Sequence, residues 1–138
     1  MPPDVPENDD RLAIKRATEA LLNAVNKSDL PGVVDIWADD GVLMPPHHPG
    51  VHGRIEIQRY FSRLFQQSRF TFSFPKSSIE VTGDLALERL EYSATMSPLG
   101  GGQAIPDVGK GLHVFRRHPS GSWQLIMDIW NSDHPASR

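Results

Sequence analysis

RFTFSFPKSSIEVTGDLALERLEYSATM, residues 69–96, decides the fold class. Phe70, Phe72 and Phe74 alternate with Thr71 and Ser73, the two-residue period of a half-buried strand. Pro75 has no N–H for a ladder and is expected to bend or interrupt that strand before Ile79 and Val81 resume it. Gly83 and Asp84 make a tight turn into a long strand, Leu85 to Met96. Pro98 to Gly102 then reads as a flexible connection, Val108 to Arg117 as the next strand, Pro119 to Gly121 as a turn, and Trp123 to Asn131 as the last strand.

Upstream of residue 69 the period is helical. Ile14, Ala17, Leu21, Ala24 and Val25 share one face of a helix that Asp9 or Asp10 can cap and that runs to about Lys27. Ser28 or Asp29 caps a second helix with Pro31 in its first turn and Leu30, Val33, Val34 and Trp37 as its stripe. Asp39, Asp40 and Gly41 are expected to stop it, Gly41 by a left-handed exit, before a short strand Val42 to Met44. His47 to Gly53 is a loop by composition, and a third helix, with Ile57, Tyr60, Phe61, Leu64 and Phe65 on its buried face, spans about 54–67. Helices first and neighbouring strands afterwards predict an α+β domain with a mostly antiparallel sheet. Its expected limits are 10–133, with tails at 1–9 and 134–138.

The totals narrow the function classes. The 138 residues suit one domain, and 38% hydrophobic with 22% charged residues is an ordinary globular balance. Cysteine is absent, which removes disulfides, a thiolate nucleophile and cysteine-ligated metals. A net charge of -3 with scattered Lys and Arg argues against nucleic acid as a partner. No apolar run approaches the roughly 20 residues that span a bilayer, and the acidic, Pro-rich start is unlike a secretory signal, so neither membrane association nor export is expected and the cytoplasm is the expected location.

Several phrases resemble the SnoaL-like branch of the nuclear transport factor 2-like superfamily: DLPGVVDIWADDGVLMPP at 29–46, RIEIQRYF at 54–61, GDLALER at 83–89 and GSWQLIMDIWNSD at 121–133. The similarity covers about Asp10 to Asp133. It implies a cystatin-like fold, a cone or half-barrel of curved sheet wrapped around the N-terminal helices, open at one end onto an apolar pocket, and a homodimer through the outer sheet face. Relatives of this kind include ketosteroid isomerase, polyketide cyclases, scytalone dehydratase, limonene epoxide hydrolase and non-catalytic association domains, so the fold is a weak guide to chemistry. Aligned on the isomerase pattern, the base position falls on Pro45, the tyrosine donor on Leu21 and the neutral acid on or near His113. Pro and Leu carry no exchangeable side-chain proton, which removes steroid isomerisation by that mechanism.

The alignment places Asp128 and Trp130 on the pocket side of the last strand. If His113 faces inward, period two brings Phe115 in with it, and adjacent strands bring His113 within reach of Asp128. A carboxylate beside an imidazole fixes its tautomer and raises its basicity, as a general base requires. The plainer alternative makes Asp128 a structural acceptor for the Trp37 or Trp130 indole and His113 a satisfied inner-face residue. Glu88 shares the apolar parity of Ala86, Leu90 and Tyr92 and is a site candidate if buried, although the isomerase alignment favours the opposite parity of Arg89 and Glu91. His47, His48 and His52 have no acid or thiol among them and read as a solvent loop, with no metal site.

The expected function is therefore a cofactor-independent isomerase, cyclase or dehydratase that moves protons on a small apolar molecule. Asp128 or His113 would be its catalytic group, and Trp37, Met44, Phe61, Glu88, Tyr92, Phe115 and Trp130 would shape its pocket. The alternative is a non-catalytic ligand-binding or dimerisation module of the same fold.

Overall fold

In the computed structural model the described residues are 4–135, so residues 1–3 and 136–138 of the expected tails lie outside them. The first helix, α1, spans Asp4–Asn26 and turns Ile14, Thr18, Leu21 and Ala24 into the interior at successive helical steps. It begins at Asp4, ahead of the expected cap at Asp9 or Asp10, so Asp10 lies inside the helix with its carboxylate turned to the sheet. There it accepts two bonds from the Arg117 guanidinium, at 2.9 and 2.7 Å, and one from the Trp123 indole at 3.3 Å. The acid that reads as a cap is a rivet between the helix and the turn linking the last two strands.

The second helix, α2, is Leu30–Asp35, with the Asp29 carboxylate accepting from the Gly32 N–H at 3.2 Å and Pro31 in its first turn. It ends before Trp37, which instead opens strand β1, Trp37–Met44, so Asp39, Asp40 and Gly41 lie within a strand and terminate nothing. Pairing of β1 with the last strand jumps from Trp37↔Leu125 to Val42↔Met127, and this irregularity absorbs the polar run. Gly41 has no left-handed backbone. A Cβ there would sit 2.4 Å from Cε3 of the Trp37 ring, so close packing on the indole is what demands glycine.

A two-residue strand, β2 (Val51–His52), leads into α3, Arg54–Gln67, whose Ile57, Phe61 and Phe65 are buried at the expected spacing. The remaining strands are β3 (Ser68–Thr82), β4 (Leu85–Pro98), β5 (Ile105–Arg117) and β6 (Trp123–Ser132). The β3–β4 pairing shifts between Ser73 and Lys76, at the bend expected of Pro75. One six-stranded sheet runs in the order β2-β1-β6-β5-β4-β3, antiparallel except where β1 lies parallel to β6. This is the expected α+β architecture, an open curved sheet with the helices on its concave face. The core of Ile14, Leu21, Trp37, Leu43, Ile57, Phe115 and Leu125 sits between them. No described helix is long and apolar enough to cross a membrane.

The Asp10 rivet has a pH signature. Its bonds to Arg117 hold the carboxyl below the ordinary value of 3.8. A depressed acid contributes fully above that value and loses its contribution as pH falls through the lower folded value. Asp10→Asn is expected to cost about 1 kcal/mol in urea unfolding at neutral pH. It should also flatten the acid side of the stability–pH curve; an unchanged acid limb would contradict this assignment.

Candidate functional site

Three neighbouring strands place one ionisable residue each in a single row. In register, Glu88 of β4 faces His113 of β5, and His113 faces Asp128 of β6. The parity of β4 is settled by burial: Ala86, Glu88, Leu90 and Tyr92 are inside, and Arg89 and Glu91 point to solvent. On β6 the alternation alone would fail. Leu125 is buried, so strict period two would turn Met127 inward and Asp128 outward. The pairing steps from Val114↔Met127 to Phe115↔Leu125, leaving Ile126 as the extra residue of a bulge, and this flips the face that Asp128 and Trp130 present.

The row is hydrogen-bonded from behind. Thr18 of α1 donates its hydroxyl to Glu88 Oε1 at 2.5 Å, and His113 Nδ1 lies 2.9 Å from the same oxygen. Two donors converging on one carboxylate oxygen put the imidazole proton on Nδ1 and turn Nε2 toward Asp128, whose Oδ1 is 3.5 Å away. Side-chain exposure falls from 15% at Asp128 to 3% at His113 and 2% at Glu88, so the row runs from the cavity surface into the interior.

Burial by itself would strip His113 of its proton, but the Asp128 charge and the Glu88 hydrogen bond outweigh it and raise the imidazole's affinity above the ordinary value. Asp128 is also raised, chiefly by burial, against the pull of His113 and with help from the Glu88 charge. Tyr60 of α3, which lines the same cavity as Asp128, is raised by burial and by the Asp128 charge. Both shifts favour the protonated form of their group in apolar surroundings, the kind of perturbation that acid–base groups show.

In front of the row lies a cavity of about 530 Å³. Of the residues expected to shape it, Phe61, Tyr92 and Trp130 line it, together with His113 and Asp128. Four others do not. Trp37 and Phe115 are fully buried in the core on the far side of the row, because the inward parity of β1 and of the end of β5 packs against the helices there. Met44 ends β1 beside β6 without reaching the cavity wall. Glu88 stands behind His113, sealed from the cavity by it. The Trp37 indole N–H finds no partner, and neither it nor Trp130 bonds to Asp128, so Asp128 is not their acceptor.

Three polar contributors were not legible. Thr18 is a lone hydroxyl on an otherwise apolar helical stripe, between Ile14 and Leu21, and that position was its one signal. Tyr60 reads as core. Asp107 precedes the strand as it was expected to begin, yet it lies within β5 and on the cavity wall. His47, His48 and His52 are exposed, and the His48 ring meets Tyr60 edge-on with centroids 5.4 Å apart. No group of three or more His, Asp or Glu among the described residues is placed to hold a metal ion.

No curated protein sequence is significantly similar to the chain. Solved structures are. A ketosteroid isomerase-like protein from Erwinia carotovora atroseptica is 26% identical, with 90% of this chain and 96% of that one covered at a TM-score of 0.79. A conserved protein from Planctomyces limnophilus is 25% identical over 91% and 98% of the two chains, with a TM-score of 0.80. A nuclear transport factor 2-like superfamily protein from Salmonella enterica shares the fold at 15% identity, covering 90% and 91% at a TM-score of 0.81. The SnoaL-like domain model matches residues 18–125, from the threonine that anchors Glu88 to the buried leucine before the β6 bulge, and the chain therefore belongs to the SnoaL-like family.

Proposed function

We propose that this protein binds a small, largely apolar molecule in the cavity and moves a proton on it without a cofactor, as an isomerase, cyclase or dehydratase would. Asp128 is the catalytic acid–base group. It is the more exposed of the two members of the row that line the cavity, His113 being the other, and burial keeps its proton affinity high. His113 shares the proton through Nε2, Glu88 and Thr18 orient His113, and Tyr60 offers a hydroxyl on the opposite, helical wall. The observation that carries this reading is the Glu88–His113–Asp128 row ending on an apolar cavity. A purely structural role would not require the outermost carboxylate to face an apolar cavity.

Proton exchange at named atoms provides the test. NMR titration is expected to show His113 holding its proton above the ordinary pH and Asp128 doing likewise. Asp128→Asn should remove the neighbouring charge and lower the His113 value while the fold persists. An apolar small molecule retained on native mass spectrometry is expected to leave, or to lose turnover, in the same variant. Ordinary titration of both groups, with ligand binding indifferent to Asp128→Asn, would leave only a passive pocket.

A further inference from the structure

The cavity has a second polar pole, remote from the catalytic row. Asp107 lies six residues before His113 on β5, which at about 3.4 Å per residue separates their Cα atoms by about 20 Å. Its carboxylate accepts from the Tyr92 hydroxyl through Oδ2 at 2.8 Å and from the Ser132 hydroxyl through Oδ1 at 2.5 Å. All three residues line the cavity. Between the poles the sheet contributes Leu90 and Trp130, and the helices Leu21, Phe61 and Leu64, all apolar.

The arrangement depends on a glycine. Tyr92 reaches Asp107 only by laying its ring across β5 at Gly109, where a Cβ would stand 2.6 Å from two ring carbons and 2.1 Å from the Asn131 carbonyl oxygen. Burial and the bond to Asp107 both raise the Tyr92 pKa, so its hydroxyl stays a donor. Each Asp107 oxygen has spent one acceptor site on an internal donor and keeps another. No Lys or Arg pairs with Asp107 among the described residues, and the nearby Lys110 ammonium is instead 2.9 Å from Asp133. A part-buried carboxylate, oriented by two hydroxyls and lacking a counter-ion, is suited to a hydrogen-bond donor brought by the ligand.

We infer that the cavity selects elongated ligands whose far end carries a hydrogen-bond donor, a protonated amine or a hydroxyl, held by Asp107, and rejects those ending in a carboxylate. This rests on the reading of the cavity as a ligand site and extends it to the class of molecule bound. It does not depend on whether Asp128 performs chemistry.

Calorimetry with decylamine, decan-1-ol and decanoic acid on the full chain isolates the end group, because the apolar tail is common to all three. The wild-type protein is expected to bind the amine at least about tenfold more tightly than the acid, with the alcohol between them. Asp107→Asn, which keeps one acceptor oxygen and turns an amide N–H to the other hydroxyl's oxygen, should erase that preference, and Asp128→Asn should retain it. On the wild-type protein, decylamine should shift the NMR signals of Asp107 and Ser132 more than those of Asp128, which needs no variant to fold. Loss of the preference in Asp128→Asn instead, shifts concentrated at Asp128, or no binding by any of the three probes would overturn the assignment. The catalytic reading fails separately, through ordinary titration of His113 and Asp128, and can fail while the amine preference stands.

Discussion

Glu88→Ala is expected to lower folding stability by about 3–5 kcal/mol, a large share of the roughly 5–15 kcal/mol that holds a domain of this size. Glu88 is 1% exposed and accepts from both Thr18 and His113. Truncation strands the Thr18 hydroxyl and the His113 Nδ1–H in a place water does not reach, opens a void, and leaves the imidazole to face Asp128 alone. Glu88→Gln keeps an acceptor oxygen for both donors while deleting the charge, so it should cost much less stability yet lower the proton affinity of His113. Urea unfolding of the two variants, with His113 followed by NMR, separates the packing loss from the electrostatic one. Equal stability of Glu88→Ala and wild type would show that the row contributes nothing to the fold.

Phe115→Ala is expected to cost about 3–5 kcal/mol as well, by a different route. Phe115 is fully buried, meets the His113 ring edge-on at a centroid distance of 6.0 Å, and pairs in register with Ala86 and Leu125. Those strand neighbours are held by the ladder and cannot close over the missing ring, so most of its volume remains as a void. Ligand affinity should change little beyond what lost rigidity causes, since Phe115 is not on the cavity wall. Trp130→Ala, on that wall, should show the reverse balance. A Phe115→Ala variant with wild-type stability and lost ligand binding would return Phe115 to the pocket, where sequence alternation had placed it.

That misplacement shows what the sequence could and could not carry. The alternation of Phe70, Phe72 and Phe74 and the turn at Gly83 specify the hairpin, because a two-residue period leaves one face for the core. Inwardness was therefore readable for His113 and Phe115 together. Which inward residues meet the cavity and which meet the helices depends on where α1 and α3 cross the sheet, and no local pattern encodes that. Trp37 failed for a related reason: it completes a helical stripe with Leu30, Val33 and Val34, yet the parallel pairing with Leu125 draws it into β1. Tertiary pairing outweighed local period there.

The candidate site was legible in the two members that line the cavity and silent in its supports. His113 and Asp128 came from the resemblance and from strand adjacency, and they meet in register. Glu88 was left balanced against Arg89 and Glu91, a choice burial decides because only Glu88 finds internal donors. Thr18 lies 70 residues from Glu88 along the chain, and a threonine on a helix carries no mark of so distant a partner.

The wiring of Thr18 to Glu88 to His113 to Asp128 also sets a timetable. Its members come from the first helix and from strands that end with the final one, so a chain growing from its N-terminus lacks the outermost member of the row until β6 is made. Until then the imidazole has no carboxylate at Nε2 and β5 has no partner on that side. The contact of His113 with Asp128 is thus a gauge of completed assembly, one that a fragment stopping short of Asp128 could never register.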